Sequence, residues 1–306
     1  TIIALFTRPL LPIDETRYLS VAWDMWLSKN FLVPHLNGEI YSHKPPLLFW
    51  LINLGWSIFG VNEWWPRLVA PLFGLANLFL TAKLARELWP RANSPWVNLM
   101  APLILFGGFF WAVFTTLTMF DMILTTFTLM GLIGVVRAWY SGSYFGFALI
   151  GLSIGLGLLT KGPAILLHIL PVSLLTPFWG KYLQGNPVGP GLARWLLGLL
   201  SAIFIGAIIV LLWAVPASLA GGEAYRDAIF WGQSAGRIVS SFAHSRPWWW
   251  YIFALPILML PWIIWPTLWR AIRKVIQNRL IEDGGVRFCL SCFVPALIAF
   301  SLISGK

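Results

Sequence analysis

The chain has 306 residues, of which 58% are hydrophobic and 10% charged, with a mean hydropathy of +0.77. A soluble domain carries roughly 25% charged residues, so this composition excludes a water-soluble globule and points to apolar spans of about 20 residues between isolated charges. The formal charge of +10 does not indicate nucleic acid, because the basic residues are scattered among apolar runs rather than gathered on one soluble face.

The 20 Trp and 21 Pro support the membrane reading, since Trp anchors at membrane interfaces and Pro is tolerated in packed membrane helices. A short apolar stub, residues 1–6, opens the chain, and a polar stretch over 7–46 carries Asp14, Glu15, Arg17, His35, Glu39, His43 and Lys44. Within it, Asp14–Ser28 reads as a helix after Pro12 with Asp14 as its N-cap. Its polar positions Arg17, Ser20, Asp24 and Ser28 step by three or four among Tyr18, Leu19, Trp23, Trp26 and Leu27, as in a helix lying at the membrane surface. A second helix, Leu47–Phe59, is short for a span and packs at or near the interface.

The first convincing span covers about residues 67–86. Further spans are predicted at roughly 96–115, 122–139, 145–160, 164–179, 195–216, 249–269 and 288–303. The expected architecture is all-α and polytopic. It is one transmembrane domain over 1–306, with an outer loop of interfacial helices at 7–66 and about seven membrane spans over 67–306. Both ends look cut, which predicts a piece of a longer protein. Cys289 and Cys292 form a CxxC inside an apolar run with no second ligand pair nearby, and read as small apolar side chains rather than a metal or redox pair.

Alternating the spans puts eleven basic residues on one side: Lys83, Arg86, Arg91, Arg137, Lys181, Arg194, Arg270, Arg273, Lys274, Arg279 and Arg287. With Glu87, Glu282 and Asp283 they give that side a net +8, against +2 on the other. The basic side is cytoplasmic by the positive-inside rule. Most carboxylates, with His35, His43 and His244, then face outward, and so does any chemistry. Asp14 and Asp121 sit at the outer membrane edge, where an unpaired carboxylate is costly and marks a functional candidate. Lys44 and Lys161 stand at outer helix ends, suited either to phosphate or to lipid headgroups. His168, mid-span, is a hydrogen-bonding core residue or part of an intramembrane pathway. His244 and Arg246 precede Trp248–Trp250, which read as an interfacial belt or as a wall on which sugars stack.

Several segments, in order along the chain, carry a resemblance. They are Pro12-Ile13-Asp14-Glu15-Thr16-Arg17-Tyr18, Val33-Pro34-His35-Leu36-Asn37-Gly38, Lys44-Pro45-Pro46-Leu47 and Phe120-Asp121. Leu159-Thr160-Lys161-Gly162-Pro163, Arg246-Pro247-Trp248-Trp249-Trp250-Tyr251 and Ser304-Gly305-Lys306 complete the set. The set resembles bacterial lipid-linked-sugar glycosyltransferases related to the aminoarabinose transferase of lipid A and, more distantly, to protein O-mannosyltransferases. The resemblance implies a GT-C fold in the bacterial inner membrane, with its active site facing the periplasm. It further implies that residues 1–6 end a first transmembrane helix and that more spans follow Lys306.

The implied activity is inverting transfer of a sugar from undecaprenyl phosphate to lipid A, another glycolipid or a protein. By the same resemblance Asp14 is the principal catalytic carboxylate and Asp121 a second. Lys44, Arg237 and Lys306 are candidates for the carrier phosphate. Glu15, Arg17, His43, Lys161, His244 and Arg246 have supporting places, with Glu15 and Arg17 orienting the first loop. Such transfer needs a base for the acceptor and cations for the leaving phosphate, which these residue types supply. The aminoarabinose branch has a Glu where this chain has His43, and a Glu-His pair where it has Gln233-Ser234. Those positions are associated with metal binding there, so no cofactor is expected here, with a divalent metal that includes His43 as a ligand the less favoured alternative to a hydrogen-bonded loop histidine. A transporter or flippase of a lipid-linked sugar is the alternative. It predicts charges in mid-span on discontinuous helices, whereas here they gather at outer helix ends.

Overall fold

The computed structural model describes residues 7–90, 96–185, 188–231, 247–277 and 282–302. The first helix, α1 (Asp14–Ser28), buries Glu15, Tyr18, Val21, Ala22 and Met25. That spacing places them on one helical face, which packs on α2 (Leu47–Phe59). The predicted bounds of α1 hold, but Asp14 is not its N-cap. Ile13 takes that position with φ 76° and no side-chain cap bond, and the Asp14 carboxylate accepts a hydrogen bond from Arg17 instead.

Between α1 and α2 lies a hairpin that the sequence reading did not anticipate, β1 (His35–Leu36) antiparallel to β2 (Glu39–Ile40), with Leu36 opposite Glu39. Asn37 and Gly38 close it at φ 55° and 84°, the left-handed pair that a tight hairpin turn requires. Two indoles pin the preceding loop: Trp50 donates to the Phe31 carbonyl (2.7 Å) and Trp213 to that of Leu32 (3.0 Å).

The bundle follows. In chain order it holds α3 (Trp64–Leu88), α4 (Trp96–Phe106), α5 (Phe109–Phe114), α6 (Asp121–Ser141), α7 (Tyr144–Lys161) and α8 (Ala164–Leu174). Then come α9 (Thr176–Trp179), α10 (Leu192–Asp227), α11 (Trp250–Leu258), α12 (Pro266–Gln277) and α13 (Gly284–Leu302). Among the described residues five helices, α3, α6, α7, α10 and α13, are long and apolar enough to cross a membrane. A sixth crossing forms if α8 and the segment Thr176–Tyr182, bent by 50°, count as one.

Besides 164–179, bent between α8 and α9, two more predicted spans are not continuous helices. The stretch 96–115 breaks at Gly107-Gly108, where Gly108 is extended and the Trp262 ring lies so close to Gly107 that a Cβ would sit 2.5 Å from it. The stretch 249–269 is interrupted by Pro261 and Pro266: a 3-10 turn, Trp262–Ile264, follows α11 before α12 begins. A proline withholds a backbone donor and pushes its predecessor out of helical conformation.

Helix α6 is the centre, packed on α3, α7 and α8, while α7 also packs along α10. Small residues allow this: a Cβ on Gly151 would lie 2.7 Å from the Ala202 carbonyl oxygen, and one on Gly155 the same distance from Ile209. Such close backbone approach is a main source of helix association in lipid. A buried polar pair, Thr126 Oγ1 donating to Asn77 Oδ1 at 2.6 Å, links α6 to α3. Outward side chains stay exposed, as with Phe204 at 67% and Leu212 at 74% on α10.

Polar contacts collect at the two ends. At one, Arg137 pairs with Glu87 (2.6 Å), Trp89 donates to Asp283 (3.0 Å), Arg194 to the Gly142 carbonyl (3.1 Å) and Arg287 to that of Phe178 (3.1 Å). The opposite end carries α1, the hairpin and the first turn of α6.

Candidate active site

At that opposite end, four buried aromatic rings form a floor. Tyr18 meets Phe120 edge-on at 5.0 Å, and Phe49 packs on Phe120 at 5.8 Å and on Tyr41 at 6.1 Å. The charged residues stand around it. Arg17 Nη2 lies 2.5 Å from Asp14 Oδ1, and the Tyr18 hydroxyl donates to the same oxygen at 3.4 Å. Asp14 itself keeps 46% of its side chain exposed, so the carboxylate is held in place yet open to solvent.

Burial pushes the Tyr18 phenol above its ordinary value, and the Asp14 carboxylate adds to this, with a smaller contribution from Asp121. Tyr18 therefore stays a hydrogen-bond donor, and it sits within the field of both carboxylates. Lys44 Nζ lies 5.9 Å from the Phe120 ring centroid. Asp121 opens α6 and accepts from Lys161 Nζ, the last residue of α7, at 2.7 Å. Each helix dipole favours the charge at its end, the N-terminus an anion and the C-terminus a cation. Gly162, at φ 67°, stops α7 directly after that lysine, and Pro163 caps α8.

Glu15 is built differently from its neighbour Asp14. At 1% exposure it accepts from Arg8 through both oxygens (2.6 and 2.8 Å), from the backbone N–H of Leu11 (2.8 Å) and from that of Thr118 (2.7 Å). Burial pushes its carboxyl up, but the Arg8 guanidinium and the two backbone donors outweigh this and hold it below the ordinary value. With both oxygens saturated Glu15 cannot serve as a base. It fastens α1 to the loop before α6, and Arg8 extends the clasp by donating to the Thr116 carbonyl at 2.8 Å while Arg67 donates to the Arg8 carbonyl at 2.6 Å.

The structure thus gathers Asp14, Glu15, Arg17, Lys44, Asp121 and Lys161 at one end of the bundle. His43 is there too, exposed and stacked on Tyr41 at 5.3 Å. Arg237, His244, Arg246 and Lys306 lie outside the described residues. His168 stands apart, beside Tyr251, Cys292 and Phe300 in an apolar cavity of about 370 Å³. Among the described residues no three His, Cys, Asp or Glu are placed to hold a metal, and His43 meets an aromatic face. Sequence reasoning missed Arg8, Thr118 and the four-ring floor. A backbone donor such as Thr118 has no signature in sequence, whereas Phe120, inside Phe120-Asp121, was visible as part of a motif.

A helical bundle with its apolar side chains outward and its charges drawn to the two ends is a multi-pass membrane protein. The family model for dolichyl-phosphate-mannose-protein mannosyltransferases matches residues 43–213, more than half of the chain, and the chain belongs to that family. It is 31% identical over 305 residues to the undecaprenyl phosphate-alpha-4-amino-4-deoxy-L-arabinose arabinosyl transferase of Pseudomonas aeruginosa, covering 96% of this chain and 51% of that protein. Transferase 1 of the same description from Pseudomonas fluorescens is 30% identical over 306 residues, covering 96% and 50%. The chain spans about half the length of these relatives.

Among solved structures, ArnT from Cupriavidus metallidurans bound to undecaprenyl phosphate superposes with a TM-score of 0.79 at 22% identity, covering 99% of this chain and 53% of that one. Its apo form gives 0.70, covering 99% and 56%. The fold is therefore that of a GT-C-type transmembrane bundle, as the sequence resemblance implied.

Proposed function

We propose that this chain is the catalytic membrane part of an inverting glycosyltransferase. The donor is a sugar on a polyprenyl phosphate, of the undecaprenyl kind. The acceptor lies in the outer leaflet or periplasm of a bacterial inner membrane: lipid A, another glycolipid or a protein. The observation that carries the proposal is the half-exposed Asp14, held by Arg17 and Tyr18 beside the Asp121–Lys161 pair. The names of the relatives, and undecaprenyl phosphate in the solved ArnT, support the donor class.

In this reading Asp14 takes the proton of the acceptor oxygen as that oxygen bonds the anomeric carbon, while the bond to the carrier phosphate breaks and its electron pair stays on phosphate. Lys44 stabilises the charge that develops there, and Arg237 and Lys306 remain candidates for the same task. Asp121 and Lys161 fix the far wall of the site. No step is assigned to a metal. A flippase accounts less well for the site, because a carrier has no need of a carboxylate left open beside bound cations at one end only.

The test uses purified full-length protein with an undecaprenyl-phosphate-linked sugar. Asp14→Asn should fold like the parent and lose on the order of 10²–10⁴-fold in single-turnover transfer. Near-parental turnover would remove Asp14 from the chemistry. Mass spectrometry of envelope glycolipids from a deletion strain, beside one carrying the full gene, identifies sugar and acceptor.

A further inference from the structure

Helix α12 (Pro266–Gln277) contains Arg270, Arg273 and Lys274 and no acidic residue. At 100° per residue, Leu268, Trp269, Ala271, Ile272, Val275 and Ile276 fall on one side. Thr267, Arg270, Arg273, Lys274 and Gln277 fall on the other. The separation is complete, yet no residue of the helix is buried. Trp269 is 48% exposed and Ile276 61%, although both belong to the apolar side. The helix touches the 3-10 turn Trp262–Ile264 before it, where Trp269 Nε1 donates to the Ile263 carbonyl at 2.8 Å. Apart from that turn, and with Leu268 and Val275 half-buried, its apolar face lies open among the described residues.

Its place in the chain says what does cover it. It joins α11 to α13, and α13 begins at the basic end of the bundle: Asp283 accepts from Trp89, and a Cβ on Gly284 would sit 2.4 Å from Leu183 N. A helix with so sharp a division, and too short at 12 residues to cross hydrocarbon that needs about 20, is stable lying in the plane of the interface. Three cations on a helix that has no carboxylate of its own complement the anionic headgroups of a leaflet, each contributing to surface attraction.

We propose that α12 is an in-plane membrane helix. Its Leu268, Trp269, Ile272 and Ile276 insert into the leaflet at the basic end, and Arg270, Arg273 and Lys274 bind the phosphates of anionic phospholipids there. This holds whichever reaction the opposite end performs.

The experiment places full-length protein in nanodiscs of phosphatidylcholine alone or with 30% phosphatidylglycerol, on a Cys289→Ala, Cys292→Ala background. Spin labels at position 272 or 276 should be reached by oxygen dissolved in lipid, and labels at 273 or 277 by an aqueous nickel chelate. Hydrogen exchange over 266–277 should slow at least ~10-fold when phosphatidylglycerol is present. The combined change Arg270→Gln, Arg273→Gln, Lys274→Gln should abolish that dependence while leaving α13 exchange unchanged. The proposal is overturned by water-accessible labels on both faces, by an apolar face shielded from both reagents because another protein segment covers it, or by exchange indifferent to lipid charge.

Discussion

Asp14 and Glu15 are adjacent carboxylates with opposite fates, and their environments separate them. Asp14 accepts at one oxygen and remains 46% exposed, whereas Glu15 is 1% exposed with four donors on its two oxygens. Arg8→Gln should therefore cost about 3–5 kcal/mol, because it leaves a buried carboxylate without its cation; a lowered thermal midpoint in detergent reads this. The pH dependence has a definite sign. Glu15 is held below its ordinary 4.5, so its contribution is complete above about that pH and disappears as pH falls through the lower folded value. Parent protein should lose this increment below pH ~4.5, and Glu15→Gln should lack it at every pH. Lys44 offers a different test. It follows an exposed loop and precedes Pro45-Pro46, which stiffen the start of α2. If it serves the leaving phosphate, Lys44→Ala weakens donor binding and turnover together, and Lys44→Arg restores only part, since a planar fork meets phosphate differently from an ammonium. Unchanged single-turnover rates in Lys44→Ala would shift that role to Arg237 or Lys306.

Helices carry the site by how closely they approach one another. The Asp121–Lys161 pair exists because α6 and α7 run side by side and both reach the same end, and α7 is in turn held by α10 through Gly151 and Gly155. Gly151→Leu forces a side chain into the Ala202 carbonyl, and overpacking of this kind costs about 1–3 kcal/mol or more. Its neighbour Leu152, 39% exposed, faces outward, so Leu152→Ala should leave thermal stability in nanodiscs nearly unchanged while Gly151→Leu lowers it; equal effects would contradict the packing. The same elements show what sequence conveys. The bounds of α1 were legible because polar residues recur on one helical face and Pro12 precedes them. The continuity of 96–115 and 249–269 was not, because hydropathy averages over the Gly107-Gly108 break and over Pro261 and Pro266. Asp14, Lys44, Asp121 and Lys161 were legible as charges at helix ends within ordered motifs. The Arg8–Glu15–Thr118 clasp was not, since it joins positions 103 apart through a backbone donor.

At the scale of the molecule the two ends differ in charge, and that difference bears on which of them faces the cytoplasm. The structure sorts the charges without reference to a membrane. Glu87, Arg137, Arg194, Asp283 and Arg287 all hold contacts at one end, and Arg8, Asp14, Glu15, Arg17, Asp121 and Lys161 hold theirs at the other. The alternation of spans expected from the sequence gives the side that holds Glu87, Arg137, Arg194, Asp283 and Arg287 a net +8 and the other side +2. Basic loops are retained on the cytoplasmic side during insertion, and this asymmetry supports the outward orientation of the site in the function proposed above. Two serines report the sides. Ser42 lies in the loop just before Lys44, and Ser141 ends α6 at the basic end, where its hydroxyl donates to the Arg137 carbonyl at 2.9 Å. With Cys289 and Cys292 replaced by alanine, Ser42→Cys should react with an impermeant maleimide in intact spheroplasts. Ser141→Cys should react only after lysis. The reverse pattern would turn Asp14 toward the cytoplasm and overturn the outer-leaflet acceptor, because the two ends of a 21-residue helix such as α6 stand about 30 Å apart and cannot share one compartment.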